Sequence, residues 1–287
     1  MEREYRPAGA LELRYEDISQ DGRALIDSVP PALGAVWRTL LAKIPDADVL
    51  RKEGILPILS RINVDVTEHV VSPFNPYLVE GYGEKVEGTA DDYTRVLFNV
   101  HARVSAKGAH AMFPGGGTGE MDLVGTMTGE HVLTRLFAEK DKRRVVPDDV
   151  RAAGVTLEGS RPFLAARTIV AEPAGATAID PAFVQGDVPL AFGLMHTDAN
   201  QHVNSLVYPR LFEEAVLRRL ATLGRSLAVR ARSLEIGYRR PSFAGDVVRV
   251  DTRLFQKDGQ LIALGLFAGM TDPPEAARVF VKLVLAS

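Results

Sequence analysis

The chain has 287 residues, of which 46% are hydrophobic and 25% are charged, and its formal net charge is -3 at neutral pH. This composition excludes an intrinsically disordered chain and lacks the basic excess of a nucleic-acid-binding protein. The chain contains no cysteine, which excludes disulfides, thiolate metal sites and a cysteine nucleophile. We therefore expect a globular protein that handles small molecules with oxygen, imidazole or amide groups.

The N-terminus and the apolar runs predict a soluble, cytoplasmic protein. The opening segment MEREYRPAG is charged and lacks the apolar core of a signal peptide. The longest apolar run, LIALGLFAGM at 261–270, is too short to cross a bilayer. No membrane partner and no nucleic-acid partner are expected.

The first half of the chain predicts a helix followed by strands. The alternation in LELRY, residues 11–15, predicts a short strand, and apolar residues at helical spacing predict a helix over 28–44 that contains Trp37. Alternating patterns then predict four strands at 58–68, 77–87, 94–105 and about 130–139. Within the third of these, we interpret Phe98 as a core residue and His101 as part of a solvated face, with a position at the border of a binding cleft as the alternative for His101. The regular alternation favours an antiparallel sheet.

The second half repeats this order. A helix is predicted over about 205–223, with an apolar stripe made by Phe212, Val216, Leu220 and Leu223. Strands are predicted at 227–240, 246–256, 260–270 and 277–286, and the Asp258-Gly259 pair between the middle two is a hairpin signal.

The repeated order predicts an α+β fold of the double hotdog type. In this arrangement two antiparallel sheets each wrap on a central helix and join into one continuous sheet, which closes off exposed edges. We place the N-terminal repeat at 1–140 and the C-terminal repeat at 191–287. The Ala-, Gly- and Pro-rich segment 141–190 is interpreted as a linker with little regular structure.

Polar side chains are concentrated at the start of the second helix, in HTDANQHVNSLVYPRLFEEAVLRRL at 196–220. Asp198, Asn200, His202 and Asn204 occupy alternate positions and could converge on one side of an extended backbone. Because Pro209 is tolerated only in the first turn, regular helix should begin near 206–208 and direct its N-terminal dipole toward these residues. Such an end could stabilise an oxyanion.

Two other interpretations of this segment stay open at the level of sequence. Asp and Asn before a helix are ordinary capping residues, and a nearby His is often structural. His196, Asp198 and His202 could also supply three metal ligands, but no HExxH or thiolate pattern supports a metal site. We expect neither a metal nor a tightly bound cofactor.

Three separated motifs stand out: DANQHVN at 198–204 with Tyr208, TGEHVLTRLFAEKDKRRVVPDDVR at 128–151, and LEIGYRRPS at 234–242. Together they resemble the acyl-acyl carrier protein thioesterases and, more loosely, the wider hotdog acyl-CoA thioesterases. The resemblance implies that Asp198 is a base or nucleophile, that Asn200 orients water or the carbonyl, and that His202 transfers protons. We expect Asn204, Tyr208 and Ser242 to contact the substrate.

The motifs also depart from the family pattern. The family places a glutamate after Tyr-Arg-Arg, where this chain has Pro241, and an acidic residue at the position of His196. The second Asn of its Asn-Asn pair is Ser205. Asp198 would then have to act as the base together with His202.

The resemblance implies hydrolysis of a fatty-acyl or related thioester, carried by acyl carrier protein or coenzyme A, to free acid and thiol. An acyltransferase, a hydratase or dehydratase, and a non-catalytic acyl-thioester-binding protein are alternatives on the same fold. The hydratase pattern places Pro after the Asn, where this chain has Gln201. Either a monomer or a homodimer is consistent with two repeats in one chain.

Overall fold

The computed structural model describes residues 4–42, 44–108 and 119–286. The chain divides into two compact units, Met1–Ala165 and Ala166–Ser287. The division falls inside the segment interpreted as a linker, and the proposed repeat boundaries at 140 and 191 stay a prediction.

The N-terminal unit contains an antiparallel sheet with the strand order β1-β3-β4-β5-β2. The strands are β1 (Arg6–Leu11), β2 (Leu56–Val66), β3 (Tyr77–Thr89), β4 (Thr94–Lys107) and β5 (Met121–Thr134). A short β6 (Ser160–Pro162) pairs in parallel with β3. The helices are α1 (Pro31–Val36), which continues as a π-helical turn (Trp37–Leu41), α2 (Pro45–Lys52) and α3 (Pro147–Ala152).

Glycines in the strands allow the first helical segment to approach its sheet closely. Gly81 and Gly83 of β3 lie under Val36 and Leu41, and a side chain at either glycine would collide with them. Gly129 of β5 has the same relation to Leu33. Because glycine removes the Cβ, the helix axis can come nearer to the strands than a full side chain would allow.

The C-terminal unit has one long helix, α4 (Val207–Thr222), and a sheet with the strand order β9-β12-β11-β10-β7. Its strands are β7 (Thr177–Ala178), β8 (Leu190–Ala191), β9 (Arg230–Tyr238), β10 (Val247–Lys257), β11 (Gln260–Gly269) and β12 (Val279–Ala286). The strand β8 pairs with β10.

The predicted apolar stripe of α4 forms the centre of this unit's core. Phe212, Val216 and Leu220 are at most 1% exposed, whereas Leu223 at the helix end is 36% exposed. The ring of Phe212 occupies the space above Gly265 of β11, where any side chain would collide with it. The Asp258-Gly259 hairpin is confirmed, because Lys257 pairs with Gln260 across it.

Three predictions about the N-terminal unit were wrong. LELRY is not a strand, because β1 ends at Leu11 and the Asp17 carboxylate accepts the Arg14 backbone N–H at 3.0 Å, which closes a 3-10 turn at Tyr15–Asp17. The strand predicted at 130–139 is instead Met121–Thr134, since its two glycines had masked the alternation before residue 130.

The third error concerns the helix predicted over 28–44. The helix itself is present, but it is shorter than predicted: α1 and the π-helical turn run without a break from Pro31 to Leu41, and a separate helix, α2, begins at Pro45. A proline at the first helical position starts a helix more readily than it continues one. Among the described residues, no helix is long and apolar enough to cross a bilayer.

Candidate active site

The polar segment before α4 forms a tight hairpin, Thr197–Val203, which we call the site hairpin. Thr197 and Val203 form an antiparallel bridge, and the Asp198 N–H donates to the His202 carbonyl at 3.0 Å. Gln201 closes the turn with a φ of 64°, a left-handed conformation that is uncommon for a residue other than glycine. The hairpin holds Asp198, Asn200 and His202 within one short loop in the C-terminal unit.

One carboxylate oxygen of Asp198 is used inside the hairpin. Its Oδ1 accepts the Asn200 backbone N–H at 2.8 Å, a local turn typical of Asp in loops. The Asp198 side chain is partly buried, while Asn200 and His202 are exposed. Among the residues that the structure describes, no hydrogen bond joins the side chains of Asp198, Asn200, His202 and Asn204. The predicted convergence therefore brings the residues into one loop without direct side-chain contacts between them.

Asn204 stabilises the turn just before α4. Its Oδ1 accepts the Leu206 N–H at 2.8 Å, and its backbone carbonyl accepts the Val207 N–H at 3.0 Å. The helix begins at Val207, and Pro209 lies in the first turn, where the absence of an N–H costs no helical hydrogen bond. Asp198 Oδ1 is therefore used inside the hairpin and Asn204 Oδ1 in the turn before the helix, and neither oxygen caps α4 itself.

Tyr208 and Ser242 are buried behind the hairpin. Tyr208 is 2% exposed and makes edge contacts with the rings of Phe192, Tyr238 and Phe267. Burial raises the pKa of the Tyr208 hydroxyl. The Ser242 Oγ is buried and has no hydrogen-bond partner among the described residues. The substrate contact predicted for Tyr208 and Ser242 stays a prediction.

A second turn lies beside the site hairpin and supports His202. This turn, Phe243–Asp246, is closed by a hydrogen bond from the Asp246 N–H to the Phe243 carbonyl at 3.1 Å, and we call it the Phe243 turn. The Phe243 and His202 rings form an edge contact with centroids 5.3 Å apart. Just before the turn, the Ser242 carbonyl accepts the Val203 N–H at 2.8 Å.

His196 precedes the site hairpin and has a structural contact. Its Nδ1 accepts the Gly193 N–H at 3.1 Å, across the 3-10 turn Leu194–His196. Within the described ranges, no three His, Asp or Glu side chains are grouped as ligands of a metal ion. The contact of His196 therefore belongs to the loop that leads into the hairpin.

The N-terminal unit contains an apolar cavity with a volume of about 190 Å³ between its helical segments and its sheet. The lining side chains are mostly apolar: Trp37, Leu41, Ile44, Ala47, Leu50, Ile55, Leu56, Pro57, Phe98 and Leu133, with Asp46, Arg51 and Lys85 as the charged members. Lys85 and Asp46 form an ion pair. Trp37 and Phe98, interpreted from sequence as core, therefore line this cavity.

Polar and buried groups in the N-terminal sheet also depart from the sequence analysis. His101 is not on a solvated face, because its side chain is only 16% exposed and its Nε2 lies 3.2 Å from a Glu84 oxygen. His131, next to the Trp37 ring, is almost completely buried, and burial lowers its pKa to about 4. Alternation assigns a side chain to one face of a strand, but it does not show which neighbouring side chain covers it.

The cavity was missed because α2 was missed. The available signal was Pro45, which predicts a helix start, followed by Ala47 and Leu50 at a spacing that places both on one helical face. The cavity is lined by residues of both helical segments, so it could not be predicted while α2 was unknown.

Residues 200–263 match the sequence model of the thioesterase superfamily. This range includes the second half of the site hairpin, α4, β9, β10 and the start of β11. No curated protein matches the sequence at a significant level. Similarity to solved structures is much more extensive and covers nearly the whole chain.

Two solved acyl-ACP thioesterases have the same fold. The acyl-ACP thioesterase of Bacteroides thetaiotaomicron is 13% identical, with a TM-score of 0.58 over 96% of this chain and 96% of the other. The 12:0-ACP thioesterase of Umbellularia californica is 16% identical, with a TM-score of 0.59 over 96% of this chain and 92% of the other.

A Lactobacillus plantarum protein described as an oleoyl thioesterase gives a TM-score of 0.63 at 12% identity, over 99% of this chain and 95% of the other. These similarities confirm the predicted double hotdog fold and the resemblance to acyl-ACP thioesterases. At such low identity they define the fold, and the chemistry has to be argued from the site.

Proposed function

We propose that this protein hydrolyses an acyl thioester to a free acid and a thiol. The observation that carries this proposal is the site hairpin, which presents a carboxylate, a carboxamide and an imidazole in succession at the entrance of α4. The region that matches the thioesterase superfamily begins at Asn200 and includes His202, whereas Asp198 lies just before it. These three groups are the types needed to activate water, hold a carbonyl and protonate a leaving thiolate.

Asp198 is the proposed base. Because its Oδ1 accepts the Asn200 N–H, the carboxylate is held in one orientation and its Oδ2 is the oxygen that would take a proton from water. The water oxygen then attacks the thioester carbonyl carbon and forms a tetrahedral oxyanion. A positioned carboxylate contributes to such a step by general base catalysis.

The oxyanion would be stabilised by donors near the start of α4. The positive end of the helix dipole lies at Val207, and the Asn204 side-chain amide lies next to it, because its Oδ1 accepts the Leu206 N–H. The Asn200 amide would supply a further N–H donor from the hairpin. When the carbon–sulfur bond breaks, His202 would donate a proton to the thiolate sulfur. The acid and the thiol leave. Asp198 then releases its proton to solvent, and His202 takes up a proton from solvent, which restores both groups.

We assign the acyl group to the class of apolar chains. The apolar cavity of the N-terminal unit supports this assignment, because its lining is dominated by hydrocarbon side chains and an indole ring. Burial of each methylene of a chain in such an environment contributes about 0.8 kcal/mol. A small polar acyl group would gain little there.

The thiol portion is proposed to be phosphopantetheine, on acyl carrier protein or in coenzyme A. Residues 204–253 contain ten arginines against five acidic residues. Several of these arginines pair within the protein, as Arg249 does with Asp251. The exposed Arg239 and Arg240 lie just before Ser242 and are suited to phosphate or an acidic carrier surface.

The proposal is tested by measuring thiol release from short, medium and long acyl thioesters on both carriers. We expect turnover by the native protein to fall by about 10² to 10⁴ in Asp198→Asn and in His202→Ala, as loss of an acid or base does. Asp187→Asn, which changes an exposed carboxylate of the same unit, is the matched control and should retain native turnover.

The native protein could also release no thiol from any of the thioesters, and this result would point to a different function. Pro241 occupies the position where the resembling family has a glutamate. If the native protein binds acyl thioesters but releases no thiol, hydrolysis is excluded for those substrates. Product analysis with added alcohol or amine acceptors then separates an acyltransferase from a non-catalytic binding protein.

A further inference from the structure

We propose that the Phe243 turn positions the His202 ring, with Phe243 in contact with the imidazole and Asp246 and Arg278 holding the turn in place. All three are positioning residues, since they act through His202. The kinetic part of this inference rests on the proposed function, whereas the orientation of the ring can be measured without it.

The first observation is the contact between the two rings. His202 is exposed and its side chain makes no hydrogen bond within the described part of the chain, but its ring meets Phe243 at 5.3 Å with an interplanar angle of 69°. Edge-to-face aromatic contacts of this kind favour one relative orientation of the rings. An exposed imidazole without such a contact would sample several rotamers.

The second observation is that Phe243 is itself fixed at its backbone. The Phe243 N–H donates to Asp246 Oδ2 at 3.0 Å, and the Asp246 N–H returns a hydrogen bond to the Phe243 carbonyl at 3.1 Å. Gly245 has a φ of 93°, a conformation that glycine adopts easily and that this turn requires. The turn is therefore closed from both ends by one residue, Asp246.

The third observation connects Asp246 to the sheet. The Arg278 guanidinium pairs with Asp246 Oδ2, the same oxygen that accepts the Phe243 N–H. The backbone carbonyl of Arg278 accepts the N–H groups of Arg239 and Arg240. Arg278 thus anchors both the turn and the chain that leads into it, immediately before β12.

The site hairpin has a separate anchor that does not depend on these side chains. The Val203 N–H donates to the Ser242 carbonyl at 2.8 Å, backbone to backbone. Removing the partly exposed Phe243 ring should therefore leave the hairpin folded and change mainly the orientation of the His202 ring. A variant at Phe243 can thus test the positioning role without unfolding the site.

The direct test is the NMR signal of the His202 imidazole, assigned by comparison with His202→Gln. We expect ring-current-displaced His202 signals in the native protein and a return toward free-histidine positions in Phe243→Ala and in Asp246→Ala. Phe243→Tyr should keep the displacement. Leu227→Ala, which removes an exposed apolar side chain elsewhere in the unit, is the matched control. Unchanged His202 signals in folded Phe243→Ala would overturn the proposal.

The kinetic test uses the same variants with acyl thioesters. Loss of an edge-to-face contact should reduce kcat about three- to tenfold and leave KM within about twofold, and Phe243→Tyr should restore native kcat. An equal loss in Phe243→Tyr, or a change in KM alone, would contradict a positioning role. Asp246→Asn should give an intermediate loss, because it keeps an acceptor for the Phe243 N–H but loses the charge that pairs with Arg278.

The two proposals fail in different ways. If the native protein releases no thiol while the His202 signals still respond to Phe243→Ala, the proposed function is contradicted and the positioning of the ring is supported. If thiol is released but Phe243→Ala changes neither the signals nor kcat, the function stands and the positioning role is overturned.

Discussion

The helical segments of the two units differ in a way that corresponds to their proposed tasks. In the C-terminal unit, α4 is a continuous helix whose Phe212 fills the space above Gly265. In the N-terminal unit, the helical chain is broken before Pro45, and an apolar cavity lies beside Trp37. The two units therefore use their helices differently. In the C-terminal unit a tightly packed helix supports a polar loop at its end. In the N-terminal unit two separate helical segments leave room for an apolar group.

The largest expected effect on stability separates the two helical cores. Phe212→Ala should lower the free energy of unfolding by about 3–5 kcal/mol, because it opens a cavity in a tightly packed site. Leu41→Ala should cost about 2 kcal/mol, at the low end for such a change, because Leu41 already borders a cavity.

Urea unfolding of the two variants measures this difference. As a control for the Leu41 site, the free energy of unfolding of the native protein is measured with and without an apolar ligand. Equal losses in the two variants would contradict the contrast between the two helical cores.

The second prediction concerns the buried imidazole of His131 in the N-terminal unit, in contrast to the exposed imidazole of His202 in the C-terminal unit. Because burial lowers the pKa of His131 to about 4, from 6.5, the imidazole stays neutral in the folded state where it is protonated in the unfolded state. The contribution of the neutral His131 to the free energy of unfolding is therefore fully present above pH 6.5. As the pH falls toward 4, the free energy of unfolding decreases by about 3 kcal/mol in total.

Urea unfolding between pH 7 and 4 tests this contribution by comparing the native protein with His131→Gln. The variant should lose about 3 kcal/mol less than the native protein over that range. Between pH 7 and 9 the difference between the two proteins should be constant, which is the internal control. A difference that changes there, or none below pH 6, would argue against a neutral buried His131.

The smallest expected effect concerns the ligand that the cavity accepts. Ala47 of α2 lines the cavity, and Ala47→Phe should fill part of it and raise the Kd for a long-chain acyl ligand about tenfold or more, as several methylenes lose their apolar contacts. Trp37 is the only tryptophan of the chain, so its fluorescence reports occupation of the cavity directly.

Ala152→Phe, at an exposed position of α3 in the same unit, is the matched control and should bind as the native protein does. Acyl binding that leaves the Trp37 fluorescence unchanged would exclude this cavity as the site of the chain.

Much of the fold could be predicted from local patterns. Apolar patterns predicted the four long strands of the C-terminal sheet, β9 to β12, and helical spacing together with Pro209 located the start of α4 at Val207. The short strands β7 and β8 were not predicted. These patterns work because each element buries one face, and burial imposes its own period on the sequence. The residue types at 198–204 were enough to identify this loop as the candidate site, although its catalytic role stays a proposal.

The tertiary structure decided how these residues are used. Sequence could not show that Asp198 Oδ1 and Asn204 Oδ1 accept backbone N–H groups, or that Tyr208 and Ser242 are buried. Nor could it show the contact of Phe243 with His202, because that contact joins two loops far apart in the chain. Local periodicity reports which face of an element is buried, whereas cavities, ring contacts and shared hydrogen bonds arise only when separate elements are brought together.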